Sequence, residues 1–398
     1  MPIYLRFYFS QIVTIYSYNQ TMKAIINAKI ITNGQILSGY HLLFSNKKII
    51  TLSRDIPIWA EVIDAEGAYL SAGFIDIHIH GSLGADVMDG TQEALEIISN
   101  SLVATGTTAY LATTMTMSEE VIRQALNTIK AYQQAPKGAK LVGAHLEGPF
   151  INPSKHGAQD PRHIQQPNLA LIRPYLDIVK MITLAPEVEG AKEFIGYLQE
   201  NHPDIVLSMG HSDASFEDAR CAIAWGVTHA THLFNAMSPF HHRHPGLVGA
   251  VLGDNEVSCD LIADKIHLHP SFFDLLARLK PRQLILITDA MRAGCMHEGS
   301  YDLGGQEVCV ANGEARLLDG TLAGSVLKLN EALRNFYQES NIGLPEVVEM
   351  VTVRPAKRLG LKMGELKEDY PADFVLFDRE FNILKSFIDG EECYSSSL

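Results

Sequence analysis

Cysteine is scarce and scattered in this chain of 398 residues. Cys221, Cys259, Cys295, Cys309 and Cys393 form no C-x-x-C pair and are odd in number, which argues against a disulfide framework or a cysteine-built zinc site. Long apolar runs are also missing: no stretch of about 18 uncharged apolar residues exists to span a bilayer. Positive charge is in deficit, with 32 Lys and Arg against 46 Asp and Glu and a net charge of -14. A phosphate-backbone partner needs a basic footprint, so nucleic acid is not an expected partner. A small anionic substrate needs only a local cationic pocket and is compatible with this balance. No G-x-G-x-x-G string follows the first strand of the chain's middle, which argues against a dinucleotide cofactor. The expected setting is the cytoplasm, with no membrane partner.

Core-forming sequence is abundant. Hydrophobic residues make up 46% of the chain and charged ones 20%, with 30 Gly and 17 Pro. The length allows two or three domains of about 150 residues, although barrels commonly run past that as one unit. Residues 1–21 are aromatic-rich and out of rhythm with the β-like residues after them. They carry only fragments of a secretory signal, so the expectation is a disordered tail or a mis-assigned start, with Met22 the natural start and an export signal the alternative. From Met22 onward, β-branched runs alternate with turn signals at Asn33-Gly34, Ser38-Gly39 and Asn46-Lys47. Similar runs return at 371–377 and 382–390. Chain ends often lie close together, so 22–72 and 345–398 are expected to form one small β-sandwich-like domain.

Residues 73–344 have another rhythm. Strand-like runs at 74–80, 107–114, 140–148, 179–186, 204–212, 229–237, 258–267 and 284–290 alternate with helix-like segments such as 92–103, 118–133, 215–225 and 271–279. Eight β-then-α units predict an α/β fold, a closed (β/α)8 (TIM) barrel rather than an open doubly wound sheet.

On that map the ionisable residues fall where a barrel does chemistry. His78 and His80 close the first strand, Glu147 the third and His211 the fifth; His232 lies in the sixth and Asp289 ends the eighth. Alternation puts His78 and His80 on one face, and the inward face at the strands' C-terminal ends opens on the active site. Any one of these histidines reads equally well as a hydrogen-bonded core residue. All six residues together at strand ends, with Gly81, Gly148 and Ser212 opening the loops, read as a metal site. Imidazole and carboxylate suit zinc, iron or manganese, and Glu147 could bridge two ions. All six, Asp289 included, form the candidate ligand set. Asp289 is also the natural general base, taking a proton from water and returning it to a departing amine. His41, His163, His202 and His297 read as surface residues, and His156 has no evident partner.

The strings HLEGPF (145–150), GHSDA (210–214), HLFNAM (232–237), RHPG (243–246), ITDA (287–290) and GTLAGS (320–325) resemble N-acetylglucosamine-6-phosphate deacetylases of the amidohydrolase superfamily. The likeness spans roughly residues 22–390. It implies an amidohydrolase-type barrel that removes the acetyl group from N-acetyl-D-glucosamine 6-phosphate, with metal-activated water as nucleophile. It further implies that Glu147, His211 and His232 hold the primary ion and that Asp289 is the acid/base. Retention of His78 and His80 implies a second site, so one or two divalent ions, zinc or iron, are expected. The fourth strand has no lysine in the bridging role that related amidohydrolases use there, and Glu147 would replace it.

By the same resemblance, Asn235 and Ala236 would meet the substrate phosphate, and Arg243 would reach it from the neighbouring subunit of a homodimer. His267 would bind the sugar, while His269 already belongs to a loop. Many members have a histidine at the position of Gln159 that stabilises the oxyanion; the amide N–H of Gln159 can still donate there. Two enzymatic alternatives stay open, the galactosamine epimer as substrate and a cyclic-amide hydrolase of the dihydroorotase or hydantoinase type. The latter would want the fourth-strand lysine and has no need of HLFNAM. A barrel that has lost its metals would also have lost some of these ligands.

Overall fold

The structure, a computed structural model, describes residues 22–396. The expectation for residues 1–21 therefore lies outside the described residues. Eight strands form one parallel sheet in sequential order: β1 (Phe74–Ile79), β2 (Thr107–Thr113), β3 (Lys140–Glu147), β4 (Val179–Leu184), β5 (Val206–Met209), β6 (His229–Ala230), β7 (Ser258–Ile262) and β8 (Leu284–Ile287). Every residue of β1 and β2 is buried, as expected where helices cover a parallel sheet and side chains fill its interior. The covering helices turn one apolar face inward. Gln92–Leu102 buries Ala94, Leu95, Ile98 and Leu102, and its first turn is capped by Thr91, which accepts from the Ala94 N–H. Glu119–Tyr132 buries Ile122, Leu126 and Ile129 behind a Ser118 cap.

The barrel meets at β1 and β8, and that seam differs from the other strand pairs. At its top the Asp289 N–H donates to the His78 carbonyl and the His80 N–H to the Ala290 carbonyl, both at 2.9 Å. Lower down, a turn of chain fills the gap. Leu286 N–H donates to the Met350 carbonyl at 3.1 Å and Ile75 N–H to the Val351 carbonyl at 2.8 Å. Between the two levels lies Asp76, fully buried, accepting from Thr288 Oγ1 at 2.6 Å and from the His78 N–H at 3.2 Å. Burial pushes the Asp76 carboxyl up to about 6. The wedge comes from the C-terminal helices: the expected boundary at residue 345 falls inside Leu344–Glu349, whose Leu344, Val347 and Val348 join the barrel core.

Both ends of the chain build the small β unit. A four-stranded sheet runs in the order Lys48–Ser53, His41–Ser45, Lys23–Ile26, Glu61–Asp64. A six-stranded sheet joins Phe374–Phe377 from the C-terminal side to Tyr69–Ala72 from the N-terminal side. Ile25, Leu42, Phe44, Leu70, Phe374 and Phe387 form their shared core. Lys140 at the start of β3 ties this unit to the barrel through Asp373 at 2.8 Å.

One sheet was not expected from the sequence. Gly299–Leu303, Gln306–Ala311 and Glu314–Leu317 form a three-stranded antiparallel insert after β8. Leu303, Val308 and Val310 pack on Met115 and Met291, and Gln306 Nε2 donates to the Ala158 carbonyl at 2.6 Å, so the insert stands over the barrel mouth. All five cysteines are free, and among the described residues no helix is long and apolar enough to cross a membrane.

Candidate active site

The candidate residues stand at the mouth, mostly just past the strands. β6 ends at Ala230, so His232 lies in the following loop and not in the sixth strand. His211, His232 and Asp289 have φ of 48°, 34° and 49° respectively. Left-handed backbone is uncommon for such residues, and here it turns each side chain back over the barrel axis. Gly148 follows Glu147 at φ 68°, where an added Cβ would sit 2.1 Å from Thr116 Oγ1. Only glycine fits that turn.

Glu147, 2% exposed, is the centre of the cluster. Its Oε1 lies 3.0 Å from His232 Nε2, 3.2 Å from His211 Nε2 and 3.4 Å from His78 Nε2. Its Oε2 lies 3.3 Å from His80 Nε2 and accepts from Gln159 Nε2 at 2.8 Å. Asp289 Oδ1 is 3.2 Å from His80 Nε2 and 3.5 Å from His78 Nε2. Two donor sets result, His78–His80–Glu147 and Glu147–His211–His232, each with its ligand atoms within 4.8 Å of one another.

These donors fit a divalent cation for a reason visible in the rings. His211 Nδ1–H donates to the Lys155 carbonyl at 2.9 Å and His80 Nδ1–H to the Thr113 carbonyl at 3.3 Å. A neutral ring so bonded presents a bare lone pair at Nε2, and that is the atom facing the cluster. The Nε2 atoms of His211 and His232 stand 3.2 Å apart, and those of His78 and His80 3.3 Å. In each pair one Nε2 lone pair is thus directed at its neighbour, and either a proton or a cation between the two nitrogens would satisfy it. The electrostatics agree. Burial works against a charge on His78, yet Glu147 and Asp289 outweigh it and raise its pKa to about 9. Burial opposes charge on Asp289 as well, and His78 and His80 bring it down to about 2. The site attracts positive charge, as a proton or as a metal ion.

A cavity of about 380 Å³ opens on the cluster. Gln159, Asn235, Ala236 and His267 line it together with His80, Glu147, His211, His232 and Asp289. His267 is oriented by Asp264, which accepts from its Nδ1 at 2.6 Å. Arg243 is not brought in: it is exposed on the loop before Gly246–Leu252 and does not line the cavity. The guanidinium on the cavity wall is that of Arg316, from the insert. His156, for which no partner was evident, donates from Nδ1 to the Gln159 carbonyl at 3.1 Å.

Beneath the cluster lies a polar layer that was not evident from the sequence. His145 is fully buried and burial drives its pKa well down, so the ring is neutral. Its Nδ1–H donates to the Ile77 carbonyl at 3.1 Å, and its Nε2 accepts from Thr183 Oγ1 at 2.7 Å. Thr231 and Ser208 continue that chain of hydroxyls at 2.7 and 2.6 Å. Asp260, also fully buried, accepts from His229 Nε2 at 3.0 Å and from the backbone N–H of His232. Asp260 thereby pins His232 in its left-handed conformation. Position offered a clue: His145 shares a face with Glu147, two residues on.

Comparison with known proteins bears on the same residues. The amidohydrolase family model matches residues 69–393. The N-acetylglucosamine-6-phosphate deacetylase of Bacillus subtilis (strain 168) is 37% identical over 381 residues, 92% of this chain and 96% of that protein. The N-acetylgalactosamine-6-phosphate deacetylase of Escherichia coli O157:H7 is 34% identical over 342 residues, 84% of this chain and 90% of that protein. The crystal structure of the N-acetylglucosamine-6-phosphate deacetylase from Pasteurella multocida superposes with a TM-score of 0.90 at 32% identity, covering 94% of this chain and all of that one.

In metal-free protein the raised His78 pKa stabilises the fold fully below 6.5, its ordinary value, and that contribution is lost as pH rises through about 9. Metal binding instead displaces protons and tightens as pH rises. Chelated protein should therefore melt lower as pH climbs from about 6.5 to about 9, while loaded protein holds or gains. A parallel fall in both forms would count against a cation among these rings. The layer beneath is open to a separate test. Asp260→Ala should weaken metal retention about 10–100-fold in competition with a chelator, as loss of an outer-shell partner does. Asp260→Asn, which keeps an acceptor for the His232 N–H, should retain more metal than Asp260→Ala; equal retention in the two would show that the bond does not position the ligand.

Proposed function

Because the chain belongs to the amidohydrolase family, among its N-acetylglucosamine-6-phosphate deacetylases, we propose that it hydrolyses N-acetyl-D-glucosamine 6-phosphate to D-glucosamine 6-phosphate and acetate. The observation that carries this reading is the convergence of four imidazoles on one buried carboxylate at the wall of a cavity. Glu147, His211 and His232 would hold the principal divalent cation, and His78 and His80 with Glu147 a second, Asp289 standing beside it. Imidazole and carboxylate suit zinc and iron alike. When bound, such a cation supplies Lewis acidity toward the acetyl carbonyl and makes water more acidic.

The chain's own groups perform the rest. Asp289 is ionised and can accept the proton of the attacking water as the C–O bond forms at the acetyl carbon. The same proton then passes to the amide nitrogen, because an amine anion is too poor a leaving group, and the C–N bond breaks. Gln159 would donate to the oxyanion. Its carbonyl accepts from the Thr116 N–H at 2.7 Å, which turns its NH2 toward Glu147 and leaves the second amide hydrogen to donate. Asn235, Ala236 and His267 would hold the sugar phosphate. Arg243 would complete the phosphate site from a second copy in a homodimer, and the expected setting remains the cytoplasm. The relative that acts on the galactosamine epimer gives a second reading, separated by assay.

The deciding experiment measures acetate released from purified N-acetylhexosamines, phosphorylated and not, of both configurations. Phosphorylated N-acetylglucosamine should be turned over fastest; no release from any would end the reading. Asp289→Asn should keep fold and metal while losing about 10²–10⁴ in rate. More than half the wild-type rate would make Asp289 structural. Arg243→Ala should impair phosphorylated substrate far more than its unphosphorylated counterpart. Mixing Arg243→Ala with Asp289→Asn chains should restore partial activity, since one site of each heterodimer regains both groups. No recovery in verified heterodimers would place Arg243 outside the neighbouring site.

A further inference from the structure

The opposite end of the barrel carries a concentration of cations. A cavity of about 950 Å³ opens below the N-terminal ends of β7 and β8, between the C-terminal helices and the 33–34 turn of the small β unit. Arg282, Arg354, Lys357 and Arg358 line it, against Glu346 and Glu349. Four positive charges minus two negative ones leave an excess of +2 in a chain whose net charge is -14.

The carboxylates neutralise only part of this. Arg354 is 7% exposed, and its Nη2 is 3.5 Å from Glu346 and 4.0 Å from Glu349, both long for an ion pair. Nη1 donates to the Leu284 carbonyl at 3.2 Å, but the buried Nε has no hydrogen-bond partner. Arg282, Lys357 and Arg358 make no ion pair with any described residue. Burial lowers the pKa of Arg354, outweighing Glu349 and Glu346, and that of Arg358, outweighing Glu256. Arg282 and Lys357 are exposed and Arg358 half-buried, so the unmade hydrogen bond is that of Arg354 Nε, which an anion would satisfy.

We propose that this cavity is a binding site for a phosphate-bearing small molecule, separate from the barrel mouth. Guanidinium forks match the oxygens of a phosphate in pairs, and the surplus of two charges matches a dianion. The volume leaves room for an organic group beyond the phosphate, with Gln283 and Asn33 as neutral hydrogen-bonding partners for it.

The test uses the full chain with inorganic phosphate and tungstate as probes. Tungstate soaked into crystals should give heavy-atom density between Arg354 and Arg358. Calorimetric titration with phosphate should show a site that weakens about tenfold or more in an Arg282→Gln/Arg358→Gln variant. Turnover of the acetylated substrate should change little in that variant, so loss of this site is distinguishable from failure of the deacetylase reading. Arg282 is exposed, and Arg282→Gln alone keeps the test available should the double variant unfold. Unchanged phosphate isotherms, or tungstate bound at crystal concentration only, would overturn the proposal.

Discussion

The carboxylate of Glu147 is the interaction on which the barrel mouth depends. It touches four imidazoles from three chain segments and the amide of Gln159, with almost no access to solvent. An isolated carboxylate in such a place would be strongly unfavourable. What offsets it here is a ring of groups that arrive from separate strand ends, with their Nε2 atoms placed where they could hold a cation. The arrangement explains why β4 can lack a lysine at its outer end. Lys180 lies near the start of that strand, away from the mouth, and Glu147 from β3 stands where the two donor sets meet.

A barrel interior tolerates this polarity because the layer beneath is fully engaged. Neutral His145 and His229 each spend both ring nitrogens on named partners, and the Thr183, Thr231 and Ser208 hydroxyls run between strands as one chain. Satisfied networks of this kind are rigid, whereas half-satisfied ones would be worse than apolar packing. That rigidity has a use above. Left-handed backbone at non-glycine residues costs about 1–3 kcal/mol each and persists only where the surroundings fix it. The bond from His232 N–H to Asp260 does that for one candidate ligand, and the Asp289 N–H to the His78 carbonyl does it for another group across the seam.

Periodicity made all eight barrel strands legible, and the six candidate residues with them, because strands buried on both faces leave few polar residues to choose among. The boundaries were less legible. The run 229–237 reads as one strand, yet only His229–Ala230 is strand, the chain turning sharply at His232 before Met237 makes an isolated bridge to Ser212. The insert was missed although Asn312-Gly313 is a strong hairpin signal and Gln306–Ala311 alternates buried and exposed. Its short strands were overshadowed by the larger barrel pattern. Asp76, His229 and Asp260 were missed for a different reason: a lone polar residue in an apolar strand carries no sign of what it will meet across the barrel.

This division of labour bears on how one scaffold serves related sugars. Apart from Gln159, the groups that would handle the acetamide sit on or just past barrel strands, above the hydrogen-bonded layer. The rest of the cavity wall is supplied by loops and by the insert: Gly157 and Ala158 after β3, Leu303, Arg316 and Leu322 from beyond β8. Gln306 ties the insert to the Ala158 carbonyl, next to Gln159, so the two walls are joined. A change of sugar configuration alters a ring hydroxyl, not the acetamide. Discrimination between epimers must then arise where those walls meet the ring, and sequence differences there can redirect substrate choice while every group around Glu147 stays in place.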